Sequence, residues 1–154
     1  MENDTLVAVD IAKEVFEVGI SDRPGRVARR LRLARCEFLE CFAQLPAATV
    51  VMEACGSAHF WARRMQALGH TPVLLPPHTV KPYVGRNKTD RNDTKGMLEA
   101  HRNEEIHPVP VKTVPQQALC ALHRVRAGRL AERTARINPS SRPSPLGSPW
   151  SPAS

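Results

Sequence analysis

Thr5-Leu6-Val7-Ala8-Val9-Asp10-Ile11-Ala12-Lys13-Glu14-Val15-Phe16-Glu17-Val18-Gly19-Ile20 decides how this chain folds. Thr5 to Ile11 is an apolar run rich in β-branched residues that ends at an acid. Val15 to Ile20 then alternates Val15, Glu17 and Gly19 against Phe16, Val18 and Ile20. Both patterns read as strands. Only Ala12, Lys13 and Glu14 separate them, too few residues for a crossover, so a tight antiparallel hairpin is expected. Arg23-Pro24-Gly25 supplies a turn, and Val27 to Leu33 extends the hairpin to a three-strand meander.

Downstream the period changes. From Cys36 to Leu45 the apolar residues Phe38, Leu39, Phe42 and Leu45 recur at helical spacing until Pro46 stops the run. Ala48 to Met52 is a short, continuously apolar strand ending at Glu53. Phe60 to Leu68 returns to helical spacing before Gly69, and Val73 to Leu75 forms another buried strand closed by Pro76-Pro77. Met97 and Leu98 give an apolar edge to a helix after Asn92, with Asp90 or Asn92 able to cap its start. A longer helix is expected from Gln116 to Ile137, with Leu119, Leu122, Val125 and Leu130 on one side and arginines mostly elsewhere. The order predicts an α/β fold: a mixed sheet flanked by helices, followed by a long basic helix. From Pro139 to Ser154 nearly every residue is Pro, Ser, Gly or Ala, a composition too poor in apolar area to offset its ordering entropy, so this tail is expected to be disordered.

The totals narrow the function. With 154 residues and 42% hydrophobic content there is material for one ordinary core. The formal charge of +7 favours polyanionic partners, nucleic acid first among them. No apolar stretch approaches the roughly 20 residues that span a bilayer, and the acidic Met1-Glu2-Asn3-Asp4 start is unlike a secretory signal, so a cytoplasmic location with no membrane partner is expected. Cys36, Cys41, Cys55 and Cys120 lack the paired short spacing of a zinc site. The six histidines do not pair with Cys or Asp at metal-ligand spacing and read as surface or core residues.

Four acids stand apart by position: Asp10 ends the first strand, Glu53 ends the fourth, and Asp90 and Asp93 lie at a helix start. If the first and fourth strands are neighbours, acids at their ends converge at one edge of the sheet. Asp90 and Asp93, three residues apart on a helix, bring their Cβ atoms to about 5 to 6 Å of each other. Clustered carboxylates repel unless cations neutralise them, and hard oxygen donors suit Mg²⁺ or Mn²⁺. Two such ions would stabilise the attacking and leaving oxygens of a phosphodiester displacement. Lys88 and Arg91 flank Asp90 and can hold a phosphate backbone; with Lys13, Lys81, Arg86, Arg124 and Arg129 they are the expected nucleic-acid-binding residues. Taken singly, the same acids also read as strand-end residues facing water or as helix caps.

Val7-Ala8-Val9-Asp10-Ile11-Ala12-Lys13 with Phe16 resembles the opening of the DEDD-type insertion-sequence transposases, the family that includes the Piv-type DNA invertases. Val51-Met52-Glu53-Ala54-Cys55-Gly56-Ser57 is similar to their second acidic motif. Most specific is Pro76 to Thr94, with Val80-Lys81, Tyr83 and then Asn87-Lys88-Thr89-Asp90-Arg91-Asn92-Asp93. The resemblance covers Leu6 to Asn138. It implies an RNase H-like (RuvC-like) catalytic domain over residues 1–111, a metal site made by Asp10, Glu53, Asp90 and Asp93, and Mg²⁺ or Mn²⁺ as cofactor. It also implies DNA as partner, with a structured RNA from the element and a homo-oligomer as further partners. Residues 112–138 would be a basic helical extension.

Departures from the family pattern carry expectations of their own. The family continues as helix where this chain has Pro139-Ser140-Ser141, which fits a frameshift, an out-of-frame tail over 139–154 and a remnant lacking the family's C-terminal serine-containing domain. Thr94 stands where the family commonly has Ala, a change expected to be harmless. Cys55 replaces a usual Thr, which would weaken local hydrogen bonding. Two other readings compete. One is a non-catalytic nucleic-acid-binding or dimerisation module on the same fold. The other is a fragment of an actin-like ATPase or sugar kinase, which needs glycines after the first acid; Asp10-Ile11-Ala12-Lys13 has none.

Overall fold

In the computed structural model the described residues are 5–23, 26–84 and 90–138, with the backbone alone described for 90–92. The chain divides into two compact units, residues 1–112 and 113–154. In the first, β1 (Leu6–Ile11) and β2 (Val15–Arg23) form the expected antiparallel hairpin, with Leu6 opposite Ser21 and Asp10 opposite Glu17. β3 (Arg26–Ala34) pairs antiparallel with β2 through register shifts around Ser21, whose Oγ donates to the carbonyls of Arg23 and Arg26. The turn residues Pro24 and Gly25 lie outside the described residues.

After α1 (Phe38–Ala43) the chain returns as β4 (Thr49–Glu53), parallel to β1, and after α2 (Ala58–Ala67) as β5 (Thr71–Leu75), parallel to β4. The sheet order is β3-β2-β1-β4-β5, a mixed sheet with β1 at its centre. β5 begins two residues before the expected Val73 and contains Pro72. An edge strand tolerates proline when the missing N–H faces outward. That is the case here: Leu74, two residues on and pointing the same way, uses its outward carbonyl to accept from Val109 N at 2.7 Å.

The period-2 alternation sends two apolar sets to opposite faces. Val7, Val9, Phe16, Val18, Val50 and Met52 meet α1 and α2, where Phe16, Phe38 and Trp61 pack edge-to-face with centroids 4.7, 5.1 and 5.2 Å apart. Each such pair adds about 0.5–1.5 kcal/mol beyond area burial. Ala8, Val51 and Leu75 meet Met97, Leu98 and Ala100 of α4 (Asp90–His101) on the other face. Gly69, at φ +85, ends α2 in the left-handed region, and its N–H donates to Gln66 O at 3.0 Å.

Two short elements follow β5 where none was expected: α3 (Pro77–Val80) and a 3₁₀ turn, Lys81–Tyr83. Thr94, where the family commonly has Ala, is buried, and its Oγ1 accepts from Arg30 Nη1 at 3.0 Å. In the second unit α5 (Val114–Ile137) starts two residues before the expected Gln116, because Thr113 and Gln116 form a reciprocal capping box ahead of it. The expected tail, 139–154, lies outside the described residues. Among the described residues no helix is long and apolar enough to cross a membrane.

Candidate active site

The last rung of the β1–β4 ladder is Val9 opposite Met52, and the next residues are Asp10 and Glu53. Adjacent strands run about 4.8 Å apart, so these two acids emerge as neighbours. Both lie two residues beyond Ala8 and Val51, which pack under α4, so both belong to the α4 face. This end is also where the parallel strands β4 and β5 finish, the usual place for a ligand crevice in an open sheet.

A cleft of ≈ 690 Å³ opens there. Asp10, Glu53 and Asp93 line it together, with Lys81 and His78 contributed by the 3₁₀ turn and α3. Three of the four expected acids therefore share one cavity although they lie 43 and 40 residues apart in sequence. Asp90 opens α4, one turn before Asp93, and its side chain lies outside the described residues.

Asp93 Oδ1 is buried and has no hydrogen-bond partner among the described residues. A carboxylate oxygen in that state costs free energy until a cation or a donor meets it. The same cleft holds the carboxylates of Asp10 and Glu53, oxygen ligands of the kind that hard divalent ions prefer. The chemistry thus fits Mg²⁺ or Mn²⁺. Among the described residues, which do not include the Asp90 side chain, no group of three or more His, Cys, Asp or Glu side chains is close enough to hold an ion.

The expected nucleic-acid-binding residues separate. Lys81 lines the cleft, and Lys13 is exposed on the β1–β2 turn, where its carbonyl accepts from Arg35 NH1 at 3.2 Å. Arg86 and Lys88 lie outside the described residues, as does the side chain of Arg91. Arg124 and Arg129 are exposed on α5, in the second unit. His78 was missed by sequence reasoning, which sought histidines at metal-ligand spacings; its signal was the Pro76-Pro77 stop directly after a strand. Cys55 also lines the cleft, and its Sγ keeps a hydrogen-bond contact of 3.4 Å with Ser57 Oγ.

A mixed, five-stranded α/β sheet carrying acids at its central strand ends defines a class, and comparison with known proteins gives the family. The transposase model DEDD_Tnp_IS110 matches residues 7–141, and the chain belongs to this family. The match spans Asp10, Glu53 and Asp93 and runs three residues past Asn138. The chain is similar to the "Probable family 20 transposase" of Pseudomonas aeruginosa, 44% identical over 136 residues that cover 88% of this chain and 40% of that protein. It is similar to the transposase for insertion sequence element IS1328 of Yersinia enterocolitica, 37% identical over 138 residues, 90% of this chain and 41% of that protein. The transposase for IS1111A of Coxiella burnetii is 40% identical over 138 residues, 90% of this chain and 38% of that one. The chain thus spans about two fifths of the length of these relatives. No solved structure matches it.

Proposed function

We propose that residues 1–112 are an RNase H-like, RuvC-type catalytic domain that acts on DNA phosphodiesters during transposition, with Asp10, Glu53, Asp90 and Asp93 as the ligands of divalent cations. The observation that carries this reading is the shared cleft: Asp10, Glu53 and Asp93 arrive from β1, β4 and α4 at one cavity, and Asp93 offers a buried oxygen without a partner among the described residues. Bound Mg²⁺ or Mn²⁺ would supply charge stabilisation for a phosphodiester displacement. The chain's own groups do the rest. Glu53 and Asp10 orient one side of the cleft from rigid strands, while Lys81 presents a cation to the phosphate backbone.

Calorimetric titration with Mn²⁺ tests the reading. The wild-type chain takes up the ion, and an Asp10→Ala, Asp90→Ala double variant loses that uptake while keeping its melting temperature. Equal uptake by both proteins would remove the cation site.

The exposed arginines between residues 23 and 35, a stretch with no acid, favour one alternative, a nucleic-acid-binding module without cation chemistry. Neutralising all four acids separates the two. DNA binding that persists with its ordinary salt dependence, in a wild type that takes up no Mn²⁺, favours the module.

A further inference from the structure

Between residues 23 and 35 the chain carries six arginines, Arg23, Arg26, Arg29, Arg30, Arg32 and Arg35, and no acid. All six are exposed, and most lie on β3, an edge strand of the sheet. Charge on an edge strand is by itself a common guard against pairing with other chains. Register separates these arginines further. Arg32 stands opposite Glu17, which stands opposite Asp10; Arg30 stands opposite Gly19, which stands opposite Ala8. Ala8 packs beneath α4, so Arg30 and Arg32 belong to the cleft face of the sheet. Arg29 pairs with Ile20, which packs on the opposite face, so neighbouring arginines of one strand are split between two surfaces.

Arg32 is on the same rung as Asp10, two strands away, a separation of about 10 Å. Its side chain is 73% exposed, and its Nε lies 3.4 Å from Oε1 of the half-buried Glu17, an ion pair open to solvent on the arginine side. Arg30 is fastened to α4 through Thr94 Oγ1. Two arginines that do not themselves line the cleft therefore lie on its face of the sheet, two strands from β1, one of them tethered to the helix that carries Asp93. Guanidinium forks match phosphate oxygens. At about 3.4 Å of rise per nucleotide on a strand, 10 Å corresponds to roughly three phosphates.

We propose that Arg30 and Arg32, on the cleft face of β3, form the track along which a DNA strand leaves the acid cleft, contacting the phosphates next to the one held at Asp10, Glu53 and Asp93. This inference rests on the cleft being the site of action on DNA. The occupant is DNA because the flanking phosphates belong to the same strand as the phosphate in the cleft. Glu17 holds the Arg32 guanidinium over its rung until a phosphate replaces it.

The test is fluorescence anisotropy with a labelled DNA duplex of about 30 base pairs across a salt series, using the full chain and its Arg32→Gln, Arg32→Lys and Arg29→Gln variants. Arg32→Gln weakens binding about threefold to tenfold and lowers the slope of log affinity against log salt by about 0.9. Arg32→Lys restores most of the loss, and Arg29→Gln, an equal change of charge on the opposite face, stays within about twofold of wild type. Equal behaviour of Arg32→Gln and Arg29→Gln overturns the track, as does a dependence on Arg32 seen with an RNA duplex and not with DNA. Mn²⁺ titration of the same proteins keeps the two readings apart. A wild type without Mn²⁺ uptake, but with the Arg32/Arg29 contrast intact, sinks the cation site and leaves the track. Normal uptake without the contrast sinks the track alone.

Discussion

Thr94 of α4 closes directly over Gly19 of β2: a Cβ built at Gly19 would come within 3.1 Å of Thr94 Cβ and 3.3 Å of its Oγ1. The sheet admits the start of α4 this closely because the residue beneath it has no side chain. Asp93 is the neighbour of Thr94, so the depth of this contact sets where a cleft acid stands.

Gly19→Ala therefore pushes α4 away from the sheet. The expected loss is about 1–3 kcal/mol of stability, from overpacking a well-filled contact. Urea denaturation measures it. Adding Thr94→Ala removes the opposing Oγ1 at 3.3 Å and keeps the Cβ at 3.1 Å, so it recovers only part of the loss; a double variant whose loss equals the sum of the two single losses would mean that the strain lies elsewhere.

Gly96, one helical turn from Met97's cluster partners and facing the 3₁₀ turn, is constrained in the same way. A Cβ there would meet Val84 Cγ2 at 2.9 Å and the Tyr83 carbonyl carbon and oxygen at 3.3 Å. Alanine normally favours a helix over glycine by about 1 kcal/mol. Here the clash outweighs that gain, and Gly96→Ala is expected to lower the melting temperature, with Val84→Ala as the relieving partner. A rise in melting temperature for Gly96→Ala alone would contradict the close packing of α4 on this turn.

His59 and Arg63 of α2 grip the last residue of the first unit. His59 Nδ1 accepts from Lys112 N at 3.2 Å, and Arg63 NH1 donates to Lys112 O. His59→Leu is close to histidine in volume and removes the acceptor, leaving the Lys112 N–H without that partner at a cost of about 1–3 kcal/mol. Trypsin cleavage after Lys112 should become several times faster than in the wild type under native conditions. Unchanged cleavage would show that the grip does not hold this segment.

Thr113 opens α5 through a capping box: its Oγ1 accepts from Gln116 N, and Gln116 Oε1 accepts from Thr113 N at 2.9 Å. None of the described residues of α5 is buried, so local terms carry much of its helicity. Thr113→Ala should cost about 1 kcal/mol and visibly reduce the far-ultraviolet circular dichroism near 222 nm at moderate temperature. Thr113→Ser should retain the signal; equal loss in both variants would place the effect outside the cap.

Much of the sheet was readable from alternation. Phe16, Val18 and Ile20 point one way because a strand has period two, and three intervening residues leave only a hairpin between β1 and β2. Asp10 and Glu53 were readable as strand-end acids for the same reason. β5 was read short because Pro72 argues against a strand, and only the outward direction of its nitrogen, visible through the Leu74–Val109 bond, permits it. His78 escaped notice because α3 has four residues, too few to show a period. Period two already sets Arg29 apart from Arg30 and Arg32; which of the two sets shares the face of Asp10 follows from the pairing of Gly19 with Arg30 and of Glu17 with Arg32.

Local chemistry, written in the order of residues, was enough to set the strands, the helices and the acids that end them, because periodicity and turn residues act over a few positions. Bringing Asp10, Glu53 and Asp93 to one cavity, and deciding which arginines of β3 share their face, required the pairing of β1 with β4 and with β2, and the seating of α4 on Gly19. Those choices depend on which surfaces fit when buried together, a property of the packed molecule that no short stretch of sequence carries.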